Sequence, residues 1–136
     1  MELERNLRTV PEGRSDRWLI DAMNVIGTRP DGWWRDRERA IRMLVDQVRE
    51  WADDEPVTVV LDTGPDDLLG TVGRVTVVRA ARRGRNAADD EIVRLVEADP
   101  DALVVTSDSD LATRVRALGA RVEGAGTFRR RLESSP

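Results

Sequence analysis

Residues 18–24 read WLIDAMN: three apolar side chains, an acid at position 21 and an asparagine at position 24. With Arg17 in front, the run 17–21 predicts a short buried strand that closes on Asp21. A carboxylate there is costly unless it is paired, hydrogen-bonded or bound to a cation. The same pattern recurs further along. VVLDTG (59–64) runs into Asp62, and LVVTSDSD (103–110) runs into Asp108 and Asp110. The continuous apolar runs 57–61 and 103–107 predict two more buried strands, and 74–79 predicts one nearer an edge.

Helical spacing fills the gaps between these strands. Ile41, Leu44, Val45, Val48 and Trp51 predict an amphipathic helix over about 35–52. Asn86 is placed to cap a helix running to about 98, with Ala88, Ile92, Leu95 and Val96 inward. Leu111, Val115 and Leu118 predict another, ended by Gly119 at C′. A last short strand is expected over 120–124 and a terminal helical turn over 127–133. The alternation defines an α/β domain with a central, mainly parallel sheet of about five strands and helices on both faces. Residues 1–16 read as a flexible arm, 17–132 as the domain and 133–136 as a short tail. Asp21, Asp62 and Asp108 then share the carboxyl edge of the sheet, where such folds bind ligands.

Composition narrows the chemistry. The 136 residues include no His, Cys, Tyr or Lys, so carboxylates are almost the only groups left for catalysis. Clustered carboxylates favour hard divalent cations, Mg²⁺ or Mn²⁺. No stretch approaches the length of a membrane span, and the charged N-terminus lacks the apolar core of a signal peptide, so a cytoplasmic protein without membrane contact is expected. Net charge is −4, yet all 22 basic residues are arginine, and they cluster at Arg82, Arg83 and Arg85 and at Arg129, Arg130 and Arg131. Arginine presents a planar fork that matches phosphate.

Each candidate has a structural and a functional reading. Asp21 and Asn24 either shape the turn after the first strand or hold a cation and its water. Ser107 with Asp110 has capping-box spacing, which leaves Asp108 free to share a cation with Asp21. Asp89, beside the buried face marked by Ala88 and Ile92, is aimed at the sheet edge, with Asp90 as the alternative register. Asp62 is a ligand, a supporting group or a turn former. Carboxylates converging in this way repel one another, and a dication relieves that repulsion while activating water and binding phosphate. Arg82, Arg83 and Arg85 would hold phosphates at the rim. Arg114 either pairs with Asp110 or reaches a phosphate. The adjacent Trp33 and Trp34 cannot both face one core: either one stacks on an unpaired base, or they form a lid packed on the first helix.

These residues carry a resemblance. LIDAMNVIG resembles the opening strand of NYN domains, a branch of the PIN-like ribonucleases, and most closely the YacP-like group. Asp21 with Asn24, Ala88 with Asp89, and Thr106-Ser107-Asp108 match the family's three motifs in order, across about residues 17–132. The chain departs in carrying Met23 where the group often has an aromatic residue. The resemblance implies a PIN-like three-layer α/β/α fold and a metal-dependent endoribonuclease. It implies Asp21, Asp89 and Asp108 as the catalytic, metal-binding core, with Asn24 and Asp110 helping. Its implied partner is RNA, single-stranded by preference, with messenger RNA or the ribosome as the setting. A competing reading is an RNA-binding or scaffold module of the same shape without turnover. A phosphate-accepting regulatory domain is disfavoured by the single acid after the first strand and the lack of lysine.

Overall fold

The computed structural model describes residues 17–81, 84 and 86–134. The expected N-terminal arm and Arg82, Arg83 and Arg85 lie outside the described residues.

The first strand, β1 (Arg17–Asp21), is buried from Trp18 onward. It is followed without a break by α1 (Ala22–Ile26), then by α2 (Arg37–Trp51) and β2 (Val57–Leu61). A hairpin of β3 (Gly70–Val72) and β4 (Val75–Arg79) comes next. The chain then runs through α3 (Ala87–Ala98), β5 (Ala102–Val105), α4 (Ser109–Ala117), β6 (Arg121–Glu123) and α5 (Ala125–Ser134). The sheet order is β3-β4-β2-β1-β5-β6. Every pairing is parallel except β3 with β4.

This is the expected α/β sandwich, with six strands rather than about five. The extra strand is the three-residue β3, exposed along its whole length and therefore without the apolar alternation that marks a strand in sequence. Gly73, at φ 60°, makes the tight turn into β4. Two helices also exceed the reading. No helix is expected directly after Asp21, where α1 lies, and the expected terminal turn is the ten-residue α5.

Alternation along the strands divides the core. Trp18, Ile20, Val57, Val59, Leu61, Val75 and Val77 pack on one face under α1, α2 and α5. Leu19, Val60 and Val104 pack on the other under α3 and α4. Trp18 forms an edge-to-face pair with Trp51 at 5.0 Å, and Trp51 another with Phe128 at 5.0 Å, so the last helix is locked onto the first strand. The Arg17 side chain donates to the carbonyls of Leu95 and Asp99 and closes the end of α3.

Helix ends repeat this precision of local chemistry. Asp36 caps α2 by accepting from the Arg39 N–H. After α4, Gly119 N–H donates to Arg116 O and Ala120 N–H to Val115 O, with Gly119 at φ 101°. These two bonds make a Schellman stop, as the glycine predicted.

Phe128 is fully buried. Phe128→Ala should cost about 3–5 kcal/mol in urea denaturation. A loss below about 1 kcal/mol would mean that α5 contributes little to the fold.

Candidate active site

The direction in which strands are added reverses between the parallel neighbours β1 and β5. From β1 the chain builds outward through β2 and β4, then crosses back to β5 and builds outward to β6. Asp21 ends β1, and Thr106, Ser107 and Asp108 follow β5, so both segments meet at this switch point. A cleft of about 350 Å³ opens there, lined by Asp21, Met23, Asn24, Asp62, Asn86, Ala88, Asp89 and Asp108. Four acids from four stretches of chain thus face one space.

Asp21 is 5% exposed. Its Oδ2 accepts from the Thr106 hydroxyl at 3.0 Å, and that hydroxyl oxygen accepts from the Asp108 N–H at 3.1 Å. Thr106, itself buried, therefore ties the two acids together. β5 ends at Val105, one residue before it, which leaves the Thr106 hydroxyl for the site. Sequence reading took Thr106 and Ser107 into the strand and gave Thr106 no role of its own. Its position between an apolar run and an acid was the available signal.

Asn24 lies in α1, and its Oδ1 accepts from the Ser107 N–H at 2.8 Å. Ser107 Oγ in turn accepts from the Ala125 N–H at 2.9 Å. The expected cap by Ser107 is therefore corrected. Asp108 caps α4, with Oδ1 accepting from the N–H groups of Asp110 and Leu111, while Ser107 links the site to α5. Backbone geometry decides this, because Asp108 is the extended residue immediately before the helix. Asn86 makes no side-chain cap either. At φ −109°, ψ 24° it is not extended, and it lines the cleft instead.

The remaining predicted residues divide. Asp89 faces the cleft from the first turn of α3, whereas Asp90 is paired with Arg114 at 3.3 Å, on the side of the helix that meets α4. Arg114 thus takes Asp90, and not Asp110, as its partner. Asp110 does not line the cleft. Asp62 pairs with Arg37 at 3.5 Å. Arg129 is bound to Thr28 O and Glu133, and Arg131 to Glu123, so two arginines of the C-terminal cluster serve the fold. Trp33 packs against the core, and Trp34 is 59% exposed.

Electrostatics follow from this crowding. Burial, reinforced by Asp89 and Asp108 and opposed by the Thr106 bond, pushes Asp21 from 3.8 up to about 6. Asp89 is likewise raised, first by burial and then by Asp108, with Arg114 pulling the other way. The donor set is all oxygen and fits a hard cation such as Mg²⁺ or Mn²⁺. Among the described residues, however, no three acidic side chains stand close enough to grip an ion without adjustment. A larger hollow, about 710 Å³, lies beside the cleft and shares only Asp62 with it. It contains Arg79 and Asp66 but none of the other cleft acids.

The fold is YacP-like. Two solved structures of Rae1 (YacP) from Bacillus subtilis, one of them a point variant, match this chain at 25% identity, with TM-scores of 0.67 and, for the variant, 0.70. Each match covers 88% of this chain, and 74% and 76% of the respective Rae1 chains. No family model and no curated protein matches the sequence.

A raised carboxyl pKa opposes folding once the group ionises. Stability from Asp21 is therefore greatest below pH 3.8 and falls as pH rises to about 6. Above that the penalty is on the order of 3 kcal/mol. Asp21→Asn in metal-free buffer should raise stability at pH 7.5 by about 1–3 kcal/mol, with the gain vanishing near pH 4. Urea titrations at the two pH values measure it; a neutral-pH loss would show that the charge is well solvated.

Proposed function

We propose that this chain is a metal-dependent endoribonuclease of the NYN, PIN-like kind, hydrolysing phosphodiester bonds in single-stranded RNA. The observation that carries the reading is the convergence of Asp21, Asp89 and Asp108 on one cleft at the switch point, with Asp21 buried. The YacP-like fold and the order of the three sequence motifs support it.

Asp21, Asp89 and Asp108 are the residues that would hold Mg²⁺ or Mn²⁺. Bound there, the ion would supply polarisation of the phosphate and a lowered pKa for an attacking water. The protein's own contribution is positioning. Thr106 fixes the relative placement of Asp21 and Asp108, and the α4 cap uses only one oxygen of Asp108. Asn24 holds the Ser107 backbone and so the approach to Asp108. Arg114, beside Asp89, offers a cation to an approaching phosphate. Trp34, left outside the core, offers a stacking face to an unpaired base.

One observation favours the alternative of an RNA-binding module without turnover: the described acids are not already at gripping distance. The two readings part in one experiment. With Mn²⁺, the wild-type protein should cleave a mixed single-stranded RNA pool and melt at higher temperature. EDTA should reverse both effects. Asp108→Asn should lose cleavage by about 10³-fold or more and lose the Mn²⁺ shift in the melt. RNA binding with neither cleavage nor a Mn²⁺ shift would establish the module instead.

A further inference from the structure

The arginines near the carboxyl edge differ in how completely their guanidinium groups are engaged. Arg42 donates to both oxygens of Asp67 at 2.8 and 2.7 Å and also to Glu38. Arg79 donates to Gly64 O at 2.7 Å and to Asp66 at 2.6 Å. Each is held by at least two hydrogen bonds of 2.8 Å or less. Arg37, in the first turn of α2, is different. Its described polar partner is Asp62, at 3.5 Å, beyond hydrogen-bond distance. Its side chain remains 46% exposed.

The place of that guanidinium matters as much as its freedom. Asp62 lines the acidic cleft, and its Oδ1 is fixed by the Thr63 N–H at 2.8 Å. Arg37 lines a groove of about 330 Å³ with Glu38, Ile41, Thr63, Gly64 and Pro65. The groove and the cleft therefore meet at the Arg37–Asp62 pair. Arg114 acts on Asp89 from the opposite layer: α2 packs on the Trp18 face of the sheet, and α4 on the Leu19 face. Arg114 is also loosely held, by Asp90 at 3.3 Å. Two lightly anchored cations thus bracket four acids, one from each helical layer.

We infer that Arg37 is a substrate-binding residue, contacting an RNA backbone phosphate that leaves the cleft along the α2 groove, with Asp62 as its anchor. This rests on the nuclease reading and assigns the path of its substrate. A strand of phosphates cannot approach four carboxylates without cations on its flanks. A guanidinium held at 3.5 Å by one carboxylate keeps donors free for a bidentate phosphate contact. As a surface ion pair alone, Arg37–Asp62 adds little to the fold.

The test uses the full chain in EDTA, so that binding is read without cleavage. A fluorescein-labelled single-stranded RNA is titrated by anisotropy at several salt concentrations against wild type, Arg37→Gln and Arg37→Lys. Arg37→Gln should weaken binding about five- to tenfold at low salt and flatten the log-affinity against log-salt slope by about 0.7, one phosphate contact on a single strand. Arg37→Lys should recover the slope while recovering affinity only in part, since it keeps the charge and loses the fork. The melts of both variants should stay close to wild type. With Mn²⁺, the Arg37→Gln loss should fall on KM and not on kcat. An unchanged slope in Arg37→Gln, with wild type binding RNA normally, overturns this inference and leaves the nuclease reading intact. A wild type that binds no RNA in EDTA and cleaves none with Mn²⁺ overturns both.

Discussion

The carboxyl edge of the sheet is organised around one unfavourable placement, the Asp21 carboxylate at the end of a strand buried on both faces. Parallel pairing to β2 and β5 surrounds β1 with backbone, and the core helices cover the rest. A charge in that position must either lose its proton less readily or find a partner. Here it does both. Its pKa rises to about 6, and Thr106 donates to it. Because the same hydroxyl oxygen receives the Asp108 N–H, the partner that makes Asp21 tolerable also sets the position of the second acid. Stabilising the buried charge and shaping the cleft are one arrangement.

The arginines follow a similar division between holding and offering. Arg17 closes α3, Arg129 reaches Thr28 O, and Arg131 grips Glu123 beside the Trp18 ring. Each joins segments distant in the chain. A run of basic residues in sequence thus says little about phosphate binding. What separates a structural arginine from an available one is whether its fork is already filled, and that depends on tertiary neighbours.

This is also where the limit of the sequence lies. The apolar runs at β1, β2 and β5 declared themselves because buried parallel strands need continuous apolar side chains. The acids after them then fell on one edge by topology alone, which made Asp21, Asp62 and Asp108 legible. Gly119 was equally plain, since only a left-handed stop explains it. α1 was not, for five residues give too little periodicity to be seen. Ser107 and Asp108 both suit an N-cap, and only the backbone angle at the helix start chooses between them. The role of Thr106 was hidden because it depends on two partners, one of them 85 positions away.

The three core acids are not equally fixed, and the difference follows from their elements. Asp21 is held by Thr106, and Asp108 by the cap of α4. Asp89 stands in the first turn of a helix whose N-cap residue, Asn86, makes no side-chain capping bond. Among the described residues its carboxylate accepts no hydrogen bond, and its surroundings are electrostatic: Asp108 and Asp90 repel it, and Arg114 attracts it. Two anchored acids and one that accepts no hydrogen bond among the described residues thus share the cleft. An uncapped first turn is the least costly part of a helix to shift.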